Sequence, residues 1–151
     1  LVSNIEPRLF PVGRLDKETT GILLLTNDGD LTYRLTHPKF GVEKIYEVTA
    51  DRFFTDAEIN SISSGVDIGE GETGQAAVID QTDTANGVKI TMKLHHGKKR
   101  EIRRIFREMG LELTHLHRIT FAYLELGNLA SGKHRILSNK ERRLLAKTVD
   151  L

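Results

Sequence analysis

Two apolar-patterned runs, QAAVIDQT over 75–82 and GVKITMKL over 87–94, stand either side of Asn86-Gly87. In the second, Val88, Ile90, Met92 and Leu94 recur at every other position, the period of a strand with one buried face. A helix cannot bury that spacing on one side, and Asn-Gly between two such runs predicts a tight hairpin turn. An antiparallel ladder is therefore built into the middle of the chain. EKIYEVTA over 43–50 extends it: Ile45, Glu47 and Thr49 alternate with Tyr46, Val48 and Ala50, a half-buried strand with Tyr46 on the Val48 side.

The remaining segments place helices around this ladder. LFPVG reads as a short strand or turn entry. GILLLT, a continuous apolar run between Gly21 and Asn27, reads as a fully buried strand. NDGD opens a short helix, LTYRLTH, stopped by Pro38. Thr55 with Glu58 has the spacing of a capping box for a helix near 56–63, and Ser138 with Glu141 that of a second, opening NKERRLLAKTV. In KKREIRRIFREMG, Ile102, Ile105, Phe106 and Met109 fall on one helical stripe, and Gly110 fits the position just past the helix end. LELTHLHRITFAYLEL then supplies one or two strands. Strands dominate and long crossovers are few, which predicts an α+β fold with a mixed, largely antiparallel sheet flanked by helices, in one domain over 1–151.

No run of about 18 apolar residues occurs, so no membrane span is expected. LVSNIEPRLFP lacks a basic start followed by an apolar block, so no export signal is expected. With no cysteine among 151 residues, disulfides and thiolate metal sites are excluded, which fits the cytoplasm. The net charge of +1 conceals an asymmetry. Between Ala50 and Thr84 eight carboxylates face one base, Arg52, a balance of −7. Between His95 and Arg118 seven bases face three carboxylates, a balance of +4 with four histidines besides. Lys98, Lys99 and Arg100 crowd the start of the predicted helix, where the macrodipole disfavours cations by roughly 0.3–1 kcal/mol each. Stability alone would place acids there. Together with Arg103, Arg104 and Arg107 they read as an anion-binding platform, with Arg100, Arg103, Arg104 and Arg107 on the face opposite the apolar stripe. Phosphates are the natural partner for such a platform.

Two apparent motifs carry little. Gly69–Gly74, GEGETG, matches G-x-G-x-x-G, but Glu70 and Glu72 would repel a phosphate and a strand-like run follows, so it reads as a flexible turn. His115 and His117 point to one face of a strand, yet two ligands do not make a metal site. No GxSxG, P-loop or HExxH helix occurs.

What remains is Asp16, in GRLD just ahead of the ILLL run, with Tyr46 and the helix arginines. A carboxylate beside a buried segment needs a cationic partner to stay ionised, and in that state it can act as a nucleophile. A tyrosine offers a flat face for a base and a phenol for proton transfer. That set suits chemistry on a nucleotide extruded from RNA.

FPVGRLDKETTGILLLTNDGDLTYRLTHP, EKIYEV, HHGKKREIRRIF and LHRITFAYLELGNLASGKHRILS together resemble the catalytic domain of the bacterial RsuA/RluB/RluE/RluF family of ribosomal RNA pseudouridine synthases. The resemblance implies an isomerase without cofactor or metal that detaches a chosen uracil from its ribose, turns it and rejoins it through carbon. It implies Asp16 as the essential aspartate and nucleophile, Tyr46 as the residue stacked on the flipped uracil, and Arg103 as the partner of Asp16. Arg14 belongs to the same loop motif, and Arg14, Lys44, Lys98, Lys99, Arg100, Arg104 and Arg107 are the expected RNA contacts. Glu101 stands where the family usually has Gln. Family members normally begin with a small S4-type RNA-binding domain and a strand containing N-K-P-x-G, and this sequence starts past both. The expected partner is ribosomal RNA, leaning to the large subunit, with a monomeric protein and no membrane association. A non-catalytic RNA-binding or ribosome-assembly module is the alternative; a histidine-based metal nuclease is a third reading.

Overall fold

The computed structural model describes residues 8–151; the segment 1–7, which carries most of the sequence bearing on an export signal, lies outside them. The strands are β1 (Phe10–Pro11), β2 (Thr20–Gly21), β3 (Leu25–Thr26), β4 (Lys44–Ala50), β5 (Val66–Gly69), β6 (Glu72–Gly74), β7 (Ala77–Thr84), β8 (Gly87–Leu94), β9 (Leu113–Phe121) and β10 (Leu124–Glu125). The helices are α1 (Gly29–Thr36), α2 (Asp56–Ser64), α3 (Glu101–Met109) and α4 (Asn139–Thr148). The main sheet runs β10-β9-β4-β8-β7, all antiparallel, and β2 joins it as a parallel neighbour of β9. The class is α+β with a mixed, largely antiparallel sheet. No helix among the described residues is long and apolar enough to cross a membrane.

The ladder forms as its period requires. Val88, Ile90, Met92 and Leu94 are all buried, as are Val48 and Ala50 on the neighbouring strand. This face receives Ile102, Ile105 and Phe106 of α3 and Ile62 of α2, one continuous core. A second core joins Val12, Leu35 of α1, Phe121, Leu124 and the α4 residue Leu145. Both predicted capping boxes form, Thr55 with Glu58 and Ser138 with Glu141, and His37 ends α1 just ahead of Pro38.

Four expectations are corrected. The hairpin turn lies one residue earlier: Thr84 pairs with Gly87, so Ala85-Asn86 is the loop and Gly87 opens β8. Glycine is required there by the neighbouring strand, because a methyl group on Gly87 would lie 2.7 Å from the Ala50 carbonyl oxygen. Gly69–Gly74 holds the expected turn, but only at Glu70-Gly71, both at positive φ; Gly69 ends β5 and Glu72–Gly74 is the strand β6 paired with it. GILLLT is not one buried strand. Its first residue pairs with β9 and its end pairs with β1, so the run leaves one ladder and joins another. Ile22 and Leu24 pack on the second core while Leu23 and Leu25 face outward. Finally, α3 starts at Glu101, so Lys98 and Lys99 precede it in a loop and Arg100 is its N-cap, in the left-handed region at φ +53°.

Candidate active site

Asp16 is held by the turns around it. Buried Val12 donates its N–H to the Leu24 carbonyl at 2.8 Å, and Gly13 turns the chain at φ +75°. The Asp16 carbonyl accepts from the Thr19 N–H at 2.9 Å, closing a turn over 16–19. Directly after it β2 locks onto β9, with the Ile22 N–H bonded to the Arg118 carbonyl at 2.9 Å. The carboxylate is thereby pinned between the small β1–β3 ladder and the main sheet.

The α3 N-terminus meets it there. Asp16 Oδ2 lies 3.9 Å from Arg103 Nε and 3.9 Å from Arg100 Nη1. Arg103 also donates from Nη2 to the Thr19 hydroxyl at 3.2 Å, while its buried Nε has no hydrogen-bond partner. Arg100 makes its shorter contact, 3.1 Å, with Glu18. Among the described residues the Asp16 carboxylate accepts no hydrogen bond from a side chain. It is flanked by positive charge on two sides, an arrangement in which a carboxylate stays ionised and can act as a nucleophile.

These groups open onto a cavity of about 350 Å³. Tyr46 and Lys44 of β4 and Arg118 of β9 line it together with Asp16, Arg100 and Arg103. Its apolar lining comes from both cores, Leu94 and Ile102 from one and Val12 and Phe121 from the other. The cavity thus lies where the two cores meet, a place where a flat, partly apolar ring can be enclosed.

Of the expected RNA contacts, Arg14, Lys98 and Lys99 also line the cavity, and the Lys98 ammonium donates to the Thr73 carbonyl. Arg107 is exposed and Arg104 is not. Arg103, Arg104 and Arg107 lie within one arc of α3, as the helical period requires, but their side chains part: Arg103 reaches Asp16 and Thr19, Arg107 is exposed, and Arg100 stands before the helix as its N-cap. Arg104 turns toward the β5–β6 hairpin. It donates to the Ile68 and Gly69 carbonyls at 3.1 and 2.9 Å and pairs with Glu72 at 2.9 Å. Its guanidinium is occupied in holding that hairpin to the helix.

Three residues of the site were not legible as such. Arg118 is 3% exposed, donates from Nε and Nη2 to the Ile22 carbonyl, and stands over the Phe121 ring. Burial lowers its guanidinium pKa below the usual range, partly offset by the Tyr46 phenol beside it. The available signal was its place two residues after Leu116, a charge on the inward side of an alternating strand. Glu101, 3% exposed, accepts from the Gln75 N–H at 2.9 Å, the Lys98 N–H at 3.1 Å and the His96 ring at 2.9 Å. This buried carboxylate holds the basic loop at His96 and Lys98 and ties it to Gln75, in the link between β6 and β7. His115 and His117 do share a face, with ring centroids 6.0 Å apart, and His117 bonds the Thr20 hydroxyl at 2.6 Å, which helps fix β2.

The sequence model of the family described as RNA pseudouridylate synthase matches residues 3–108. The ribosomal large subunit pseudouridine synthase B of Bacillus subtilis (strain 168) is 33% identical over 151 residues, covering 97% of this chain and 61% of that protein. An uncharacterized RNA pseudouridine synthase of Aquifex aeolicus (strain VF5) is 30% identical, covering 100% of this chain and 61% of that protein. A crystal structure of a pseudouridylate synthase superposes with a TM-score of 0.80 at 28% identity, covering 91% of this chain and 59% of that one. The chain spans about three fifths of the length of these relatives. With the matched segment running from before GRLD through α3, the chain belongs to the RNA pseudouridylate synthase family.

Proposed function

We propose that the chain is the catalytic domain of an enzyme that isomerises a uridine of ribosomal RNA, in the large subunit, to pseudouridine. The observation that carries the reading is the open Asp16 carboxylate, 3.9 Å from two arginines of the α3 N-terminus, at a cavity shared with Tyr46. The large-subunit assignment is supported by the B. subtilis relative's name.

The reaction follows from the parts. An RNA strand laid over Lys99, Arg100, Arg14 and Arg107 is held through its phosphates, which position without reading sequence. The target nucleotide turns out of its stack, and its uracil enters the cavity against Tyr46, where ring stacking offsets the unstacking cost. Asp16 acts as nucleophile. Arg103, held by Thr19, fixes the carboxylate's position and balances its charge while leaving its lone pairs open. Because the carboxylate returns unchanged and the product is an isomer, the cycle needs no cofactor. The protein acts as a monomer in the cytoplasm, where its RNA substrate is.

Mapping pseudouridines in rRNA from a strain lacking the gene identifies the target uridine. Asp16→Asn then abolishes pseudouridine formation on a transcript carrying that uridine, while the RNA affinity and the thermal midpoint stay near those of the unaltered protein. Product formation by Asp16→Asn would sink the nucleophile assignment. RNA binding without product by the unaltered protein would instead identify a non-catalytic RNA module.

A further inference from the structure

Lys44, Arg118 and Lys98 are the cations of the cavity that the reading above does not use, and of these Lys98 is taken by the Thr73 carbonyl. The other two come from neighbouring strands: Lys44 pairs with Phe121 across β4 and β9, and Tyr46 pairs with Arg118. Lys44 Nζ lies 5.9 Å and the Arg118 guanidinium carbon 5.0 Å from the centre of the same Phe121 ring. Two positive groups and the Tyr46 phenol therefore form one patch on the sheet side of the cavity. Among the described residues neither cation forms an ion pair. Lys44 is half-buried, and its ammonium is pushed below the ordinary lysine range, first by burial and then by the Arg118 charge, with Glu101 opposing. Buried cations are normally paired, so a fold that keeps two together with no carboxylate in ion-pair contact leaves a place for an anion.

That anion is not an RNA phosphate. A phosphate stays in the strand, between two sugars, and the exposed Lys99 and Arg100 already meet the strand at the rim. Arg118 is 3% exposed, a depth that only the base of an everted nucleotide reaches. The base becomes anionic during the reaction proposed above, on which this inference rests. When the C1′–N1 bond breaks, its electron pair leaves with the ring and spreads over N1, O2 and O4, while C1′ bonds to an Asp16 oxygen. In the return step C5 of the turned ring bonds to C1′, and the Asp16 oxygen departs with the pair that held it. The C5 proton is then lost and N1 regains one, so atoms and charge balance with no further reactant.

We infer that Lys44, supported by Arg118, is a catalytic residue whose ammonium stabilises the uracil anion while the base is detached from its ribose. Charge that exists only in the transition state and intermediate is where a preorganised cation accelerates a reaction most. Lys44 is the group to test, because Arg118 also holds the Ile22 carbonyl.

The experiment compares unaltered protein and Lys44→Met in single-turnover reactions on two transcripts, one carrying uridine and one 5-fluorouridine at the mapped target. Fluorine at C5 stabilises the departing anion chemically, so it substitutes for part of what the ammonium supplies. Loss of the starting nucleoside is read by digestion and mass spectrometry. Lys44→Met is expected to slow uridine loss by about 10²–10³-fold, the usual effect of deleting one such stabilising group, and to slow 5-fluorouridine loss less than tenfold. RNA affinity stays within threefold, and the thermal midpoint does not fall, since methionine fills the same space without a charge to desolvate. Equal slowing on both transcripts overturns the inference in favour of a packing role, and weakened affinity with an unchanged rate overturns it in favour of a phosphate contact. If the unaltered protein consumes neither nucleoside, the proposed reaction itself fails and this inference falls with it.

Discussion

Gly21→Ala tests how the Asp16 loop is anchored. Gly21 has φ +126° and pairs in parallel with Arg118. A methyl group on it would lie 2.2 Å from the Arg118 carbonyl oxygen and 2.5 Å from the Arg118 nitrogen. Both are backbone atoms of a central strand and cannot rotate away, so β2 must retreat about 0.8 Å merely to restore a 3.0 Å separation. The retreat stretches the Ile22-to-Arg118 backbone bond of 2.9 Å and the two guanidinium bonds to the Ile22 carbonyl, 3.0 and 2.7 Å. A positive φ in a non-glycine residue costs about 1–3 kcal/mol, and weakened bonds, one set charge-assisted, add a similar amount, giving roughly 2–6 kcal/mol. At about 2–4 °C per kcal/mol for a chain of this size, the midpoint falls by roughly 4–24 °C in a thermal melt followed by circular dichroism. Gly110→Ala is the control: its φ is +75° but nothing lies within 4 Å of the added methyl group. That variant pays the left-handed conformation alone, about 1–2 kcal/mol. Equal midpoint losses in the two variants would refute the close-approach reasoning.

Two further predictions concern carboxylates with different duties. Glu101→Gln replaces an acceptor of three donors by a group with one acceptor oxygen. In either amide orientation an NH₂ faces the N–H of Gln75 or of Lys98, so one half-buried donor goes unpaired at about 1 kcal/mol, read as a lower urea midpoint with an unchanged slope; a midpoint equal to that of the unaltered protein would show that the Glu101 charge is not needed. Glu58, bonded to Arg52 and capping α2 through Thr55, has its pKa held down to about 2, with the Arg52 contact the largest cause. A depressed carboxylate stabilises above its ordinary pKa and loses that contribution as pH falls. The urea midpoint should therefore decline between about pH 4.5 and 2, and Glu58→Gln should flatten that decline; an unaltered slope in the variant would assign the acid sensitivity to other groups.

Local patterns read true where a single face decides burial. The alternation of 88–94, the α3 stripe and both capping boxes each involve residues close in sequence, and each is found in place. GILLLT misled because an unbroken apolar run has no phase. It does not say that Gly21 belongs to one ladder and Leu25 to another, which is decided by Arg118 and Pro11, residues far off in sequence. The arginines of α3 misled for the opposite reason. A count of positive charges assumes that the polar side of a helix faces water, whereas β5 and β6 cover part of it, and the β5 carbonyls with the Glu72 carboxylate of β6 take Arg104.

The same contrast explains what the loop before α3 does. Its bases looked unfavourable at a helix N-terminus, and they would be if the helix began at Lys98. It begins instead at Glu101, so the first helical residue is a carboxylate, the sign the macrodipole favours. That carboxylate is buried and faces backward, accepting from Lys98 and from Gln75 rather than from water. Arg100 is left at the cap in a left-handed conformation, with its guanidinium beside Glu18 and Asp16. Strain of this kind at a non-glycine residue persists only where the surroundings hold it. Glu101 supplies the hold, and the position of Arg100 beside Asp16 is its consequence. The residue that stands where the family usually has Gln is thus the fixed point from which the basic side of the cavity is arranged.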